Sequence, residues 1–149
     1  MSISYLESVL NNLKTEMEQK MVPRSDATKY QFSPTVERGV VSWDETNGKR
    51  PFIWFISTGV EYEETFNSST KVEIFIEMHG YVDSEGYGAT ENMMMLLKDL
   101  EYFLYNDYTE PVNLLSCIIS EGGANEETGQ AGFMLNIKVI SDFDITTIL

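Results

Sequence analysis

The only histidine of the chain, His79, is the first residue whose surroundings suggest chemistry. It alternates with Glu77 and Glu73 in the stretch Lys71-Val72-Glu73-Ile74-Phe75-Ile76-Glu77-Met78-His79, so on a strand all three share one face. One imidazole with two carboxylates is a recognised set for a divalent metal. The spacing argues against it. Successive same-face residues on a strand stand about 7 Å apart, and a ligand atom must reach a metal to about 2 Å. His79 is read as a lone histidine on a wet strand face, and no metal site is expected. Glu63-Glu64 and Glu126-Glu127 are adjacent carboxylates. Acid–base catalysis needs such groups opposed across a cleft, whereas neighbours in solvated acidic loops are commonplace. Cys117, the only cysteine, would need a base beside it to act as a nucleophile. Within Leu114-Leu115-Ser116-Cys117-Ile118-Ile119 it reads as a small apolar core residue. Gly86-Tyr87-Gly88 precedes a helix, the place for an anion, but Asp83 and Glu85 beside it would repel a phosphate. Neither Gly-x-x-x-x-Gly-Lys-Ser/Thr nor Gly-x-Gly-x-x-Gly occurs, and the Asp-rich stretch lacks EF-hand spacing. No catalytic residue and no cofactor are expected, and the chain is not read as an enzyme; a small hydrolase built on Asp and Glu is the remotest reading.

Tyr102, Tyr105 and Tyr108, with Phe103, cluster at the end of a helical stretch. A base-stacking platform needs basic neighbours, and here the neighbours are Glu101, Asp107 and Glu110. Two readings stay open: a helix end packed on a sheet, or a protein–protein interface, where tyrosine is enriched.

The elements that must position these residues follow from periodicity. Ile3, Leu6, Leu10, Leu13 and Met17 form one stripe of an amphipathic helix. Ser4 and Glu7 fit a capping box at its start, and Pro23 ends it. Residues 22–34 read as an irregular connection. Val36 to Trp43 and Phe52 to Ile56 read as two strands joined in a hairpin through Asn47-Gly48, the second buried on both faces. Glu61 to Ser69 reads as an acidic connection, and 72–79 as a strand with one apolar face. A helix is expected at about 89–106, burying Met93, Leu96, Leu97, Leu100, Phe103 and Leu104, with Glu91, Lys98, Asp99 and Glu101 mostly opposite and the sheet centre beneath. Val112 to Ser120 and Phe133 to Ile140 read as a last hairpin around the long acidic loop Glu121–Gln130, and residues 143–149 as a tail. The fold class is α+β: a mostly antiparallel sheet of about five strands with two helices on one face, in a single domain spanning 1–149.

Composition sets limits on function. The chain has 149 residues, with 10 Lys and Arg against 24 Asp and Glu, a net charge of −14. At 42% hydrophobic and 12% aromatic it is too apolar for a disordered acidic tail. Residues 1–71 stand at −2 and residues 72–149 at −12. Sequence-independent nucleic-acid binding rests on Lys and Arg at phosphates, so it is not expected, and neither is docking on an anionic membrane. The acidic half serves solubility, or forms a surface past which DNA slides without sticking. No apolar run approaches the roughly 20 residues of a membrane span, and no signal peptide is read, so a soluble protein of a reducing cytoplasm is expected.

Four segments carry a family likeness. They are the N-terminal helix with its irregular sequel; Val36-Glu37-Arg38-Gly39 leading to Pro51-Phe52-Ile53-Trp54-Phe55; the strand Val72 to Glu77 followed by the helix with Leu96-Leu97-Lys98-Asp99-Leu100; and the closing pair Ile118-Ile119 and Phe133 to Val139. Together they resemble the tail terminator, or tail completion, proteins of long-tailed bacteriophages, the group of the lambda minor tail protein U. The likeness runs from Val36 to Asp142. It departs from the family pattern in the strong acidity of the second half and in the long loop at 121–130.

The resemblance implies a virion structural protein, assembled in the host bacterial cytoplasm and located at the head-proximal end of the tail. It would form a ring, generally a hexamer, that caps the tail tube, ends its polymerisation and presents a docking surface to the head–tail connector. Its partners would be further copies of the chain, the tail-tube protein and the connector, with DNA passing unbound. Candidate lumen or docking loops are Glu61, Glu63 and Glu64 and Glu121, Glu126 and Glu127; candidate subunit contacts are Tyr102, Tyr105 and Tyr108. Alternatives are a head–tail adaptor or tail-tube protein, and, more distantly, an acidic DNA mimic that inhibits a host enzyme.

Overall fold

In the computed structural model, residues 3–23, 30–64, 69–83, 88–119 and 130–144 are described. Helix α1 (Ile3–Lys20) is followed by the short strand β1 (Thr35–Arg38), a 3-10 turn (Asp44–Thr46), and strands β2 (Phe52–Glu64) and β3 (Ser69–Asp83). Helix α2 (Ala89–Tyr102) continues into a π turn (Phe103–Asp107), and strands β4 (Val112–Ile119) and β5 (Gln130–Asp144) close the order. The five strands make one sheet in the order β1-β2-β3-β5-β4. The α+β class, the five strands and the two helices agree with the expectation from sequence.

Alternation builds the core. Val72, Ile74, Ile76 and Met78 of β3 are buried, and their register partners on β5, Ser141, Val139, Ile137 and Leu135, are buried beside them. Ile53 and Phe55 of β2 extend the same layer. Onto it α1 lays Leu10, Leu13 and Met17, and α2 lays Met93, Leu96 and Leu100, all in one cluster, so both helices cover one face. Each such side chain contributes about 1.5–3 kcal/mol through burial. Helix α2 contacts β3 and β5, the middle and fourth strands, as its broad stripe predicts.

Gly80 permits one tight approach. It pairs with Phe133 across β3 and β5, and a Cβ there would stand 2.3 Å from the Phe133 ring. The ring fills the space that a side chain would occupy.

The expected first hairpin is corrected. β1 is only four residues long and pairs with β2 in parallel, Thr35 opposite Phe52 and Arg38 opposite Phe55. Gly39, at φ +95°, ends β1, and residues 39–51 return along the sheet. Arg50, with its side chain 3% exposed, fixes this return. Its guanidinium donates to Asp83 (2.9 Å), the Trp43 carbonyl (2.9 Å) and Asn47 Oδ1 (3.0 Å), and lies 3.8 Å from the Trp43 ring centre. Asn47-Gly48 is a turn, with Gly48 at φ +76°, but it lies inside the crossover and reverses no strand pair.

Three further expectations change. Helix α1 already runs from Ile3, and the Glu7 carboxylate is held by Arg38 at 2.6 Å rather than turned back to a cap. The acidic connection at 61–69 is mostly strand, since β2 runs to Glu64 and β3 starts at Ser69. Asp99 is not opposite the buried face but 2% exposed, accepting the backbone N–H groups of Gln31 (2.9 Å) and Phe32 (3.0 Å). A carboxylate there ties the irregular stretch to α2.

Candidate subunit interfaces

β4 is an edge strand, and the helix layer stops short of it. α2 reaches β3 and β5, and α1 reaches β1. Its apolar side chains are left in solvent: Leu114 is exposed on the helix side, Ile118, 51% exposed, sits beside Met134 on the face away from the helices, and Leu115 is 50% exposed. Cys117 is exposed too, which corrects its reading as a core residue. No charged residue occurs between Val112 and Ile119. Natural edge strands usually carry charge, proline or a cover against pairing. β4 has a register shift between Leu114 and Ser116, and one outer amide is occupied: Leu114 N–H donates to the Tyr105 hydroxyl at 3.1 Å.

The three candidate tyrosines are not one patch. Tyr102 is half-buried, its ring edge-on to Tyr30 at 5.7 Å. Tyr108 is buried against Phe103 at 5.6 Å, and its hydroxyl has no hydrogen-bond partner among the described residues. Burial, then the nearby acids Glu110 and Glu16, push its phenol above the ordinary range. Only Tyr105, 55% exposed, faces outward. The π turn and the extended backbone of Tyr108 separate residues that a regular helix would keep closer together. Lys20 holds this corner to α1, donating to the Asp107 carbonyl at 2.6 Å and to Glu16 at 2.7 Å, and Tyr30 donates to the Asp107 carboxylate.

The acidic candidates separate as well. Glu61, Glu63 and Glu64 lie in β2, opposite Glu73, Lys71 and Thr70. On the other side of β3, Lys71 pairs with Asp142 and Ser69 with Asp144. Six acidic positions, Glu61, Glu63, Glu64, Glu73, Asp142 and Asp144, thus share one end of the sheet. Glu73 is compensated by Lys138 at 3.4 Å and Lys71 at 3.6 Å. Glu121, Glu126 and Glu127 lie outside the described residues. The strand ends that lead to them, Ile119 and Gln130, stand at the opposite end, where Gln130 pairs with Asp83. β3 spans roughly 45 Å between the two ends at about 3.3 Å per residue.

The face away from the helices holds His79. Its ring stacks on its register partner Trp54, centroids 3.9 Å apart and planes 6° apart, and its Nε2 lies 2.9 Å from Glu77. Trp54 is buried and its indole N–H has no acceptor among the described residues. His79 is therefore a half-buried stacking residue on this face. Among the described residues, no three His, Cys, Asp or Glu side chains are placed to hold a metal.

The other sheet edge differs in kind. β1 is short and polar, and Arg38 joins Glu7 and Asn11 across to α1 at 2.6 and 2.8 Å. The hydrogen bond and charge of Arg38 hold the Glu7 carboxyl below the usual carboxylate range. A shallow groove beside β1 is lined by Arg38 and Lys49 together with Glu37 and Glu45, and Val40 is exposed just beyond the strand.

No helix among the described residues is long and apolar enough to cross a membrane. The chain matches no protein-family model and no curated protein sequence.

Proposed function

We propose that the chain is a structural assembly protein of a long-tailed phage, a tail terminator that closes into a ring on the finished tail tube. The observation that carries this reading is β4, an uncharged edge strand with exposed Leu115 and Ile118 on a chain of net charge −14. An isolated subunit with that edge invites association, and a ring satisfies it by closed head-to-tail contacts. The ring halts tube growth and then presents a docking surface to the head–tail connector. The acidic sheet end at Glu61, Glu63 and Glu64 is the candidate channel border, where DNA would pass without being held, since the acidic positions there outnumber Lys71 and Lys138. The work needs shape and contact rather than catalysis, so the proposal assigns no nucleophile, cofactor or metal, and it places the protein in the virion.

Tails assembled without the chain provide the test. The expected result is tubes of uncontrolled length that do not join heads, seen by electron microscopy. Tails of normal length that still join heads would overturn the reading. Salt-sensitive co-elution with a host nuclease or polymerase would replace it with the DNA mimic, and a role at the connector or along the tube would identify the adaptor or tube alternative.

A further inference from the structure

We infer that neighbouring copies join by adding the β4 edge of one copy to the β1 edge of the next, so that the sheet continues from subunit to subunit. The inference rests on the ring reading and specifies its joint.

Strand direction permits it. β1 and β2 run one way, β3 reverses, β5 reverses again and β4 runs opposite to β5. The two edges of the sheet therefore run in opposite directions. When a second copy is placed beside the first in the same orientation, its β1 meets β4 antiparallel, with the helix layers of both copies on the same side. Antiparallel addition to an exposed edge is an established way for chains to pair. The lengths agree as well. The four residues of β1 fit within Leu115–Ile119, the five residues of β4 beyond the amide held by Tyr105.

Charge selects this occupant over a two-fold pair. β4 belongs to the half of the chain at −12, and a β4–β4 contact would bring two such halves together. β1 belongs to the half at −2, and at its groove Arg38 and Lys49 balance Glu37 and Glu45, so β4 would meet no excess of like charge there. Apolar surface also matches at one end, because exposed Val40 follows Arg38, opposite which Leu115 would arrive.

Cross-linking on the open sheet face tests the joint. Register places Glu37 beside Trp54 and Ser116 beside Asn136, both on the face away from the helices. In a Cys117→Ser background, Ser116→Cys with Glu37→Cys is treated with a short bismaleimide. The expected product is a ladder of covalent oligomers that ends at the ring number, while Ser116→Cys alone stays monomeric on a denaturing gel. Dimers from Ser116→Cys alone would overturn the joint in favour of a two-fold β4 contact. Rings seen by electron microscopy without a ladder would overturn the joint and leave the ring standing. Monomers throughout would overturn both. As a second arm, Leu115→Lys with Ile118→Lys is expected to abolish assembly while leaving the thermal midpoint of the monomer unchanged. Retained assembly of that folded variant would contradict the proposal.

Discussion

Asp99 shows how one residue constrains both fold and solution behaviour. Burial pushes its carboxyl above the ordinary aspartate range, against the pull of the Phe32 and Gln31 amides and of Lys98. A raised folded-state pKa means the folded chain holds this proton more tightly than the unfolded chain does. Its contribution is therefore most favourable below the ordinary value of about 3.9 and is lost as pH rises through the raised value. At neutral pH the ionised group works against folding while its two accepted hydrogen bonds work for it. Asp99→Asn, which keeps an acceptor and removes the charge, is expected to leave neutral-pH stability equal or higher and to remove this pH dependence. Asp99→Ala leaves two amides unmet and is expected to cost about 1–3 kcal/mol; denaturant unfolding at pH 7 and pH 5 separates the two. Cys117 offers a second check at this scale. Partial burial and then the charge of Glu101 hold its thiol above the ordinary range, so maleimide should label it more slowly than a free cysteine, and faster in Glu101→Gln. Neither behaviour was legible in the sequence. Asp99 sits among the charged positions of a helical wheel, and only the return of residues 31–32 over α2 buries it. Cys117 sits in an apolar run, and only the end of the helix layer exposes it.

Among the elements, those with a strong period were legible. The alternation from Val72 to Met78 gave β3 and its buried face, and the stripe from Met93 to Leu104 gave α2 and its position over the sheet. Direction and order carry no comparable local signal. Asn47-Gly48 marks a turn but not whether the strands around it run together or apart, and the Arg50 anchor depends on Asp83, far along the chain. Likewise the apolar content of 112–119 reports average burial, not the reach of the covering helices. The Gly80 and Phe133 pair gives the element-scale prediction. Gly80→Ala drives a methyl into the ring and is expected to cost about 1–3 kcal/mol. Combining it with Phe133→Leu should recover part of that loss, measured as non-additivity in a denaturant cycle.

For the whole molecule, the uneven charge takes on a geometry. The acidic positions at 61–64 and 142–144 gather at one sheet end, although they come from opposite halves of the chain. That gathering was not legible, because β2 and β5 flank β3 only after folding. Reversing Glu61, Glu63 and Glu64 to lysine is expected to leave assembly intact and to create salt-sensitive retention of duplex DNA in a gel-shift assay, with none expected for the parent chain. Equal absence of retention in both would remove these positions from the channel border. Behind the channel-border prediction stands the claim that copies of the chain close into a ring. Sedimentation velocity with electron microscopy, on the purified chain alone and with tail tubes added, tests it most directly. The expected result is a closed ring of uniform copy number that seats on one end of each tube; a strictly monomeric species that leaves the tubes uncapped would contradict it.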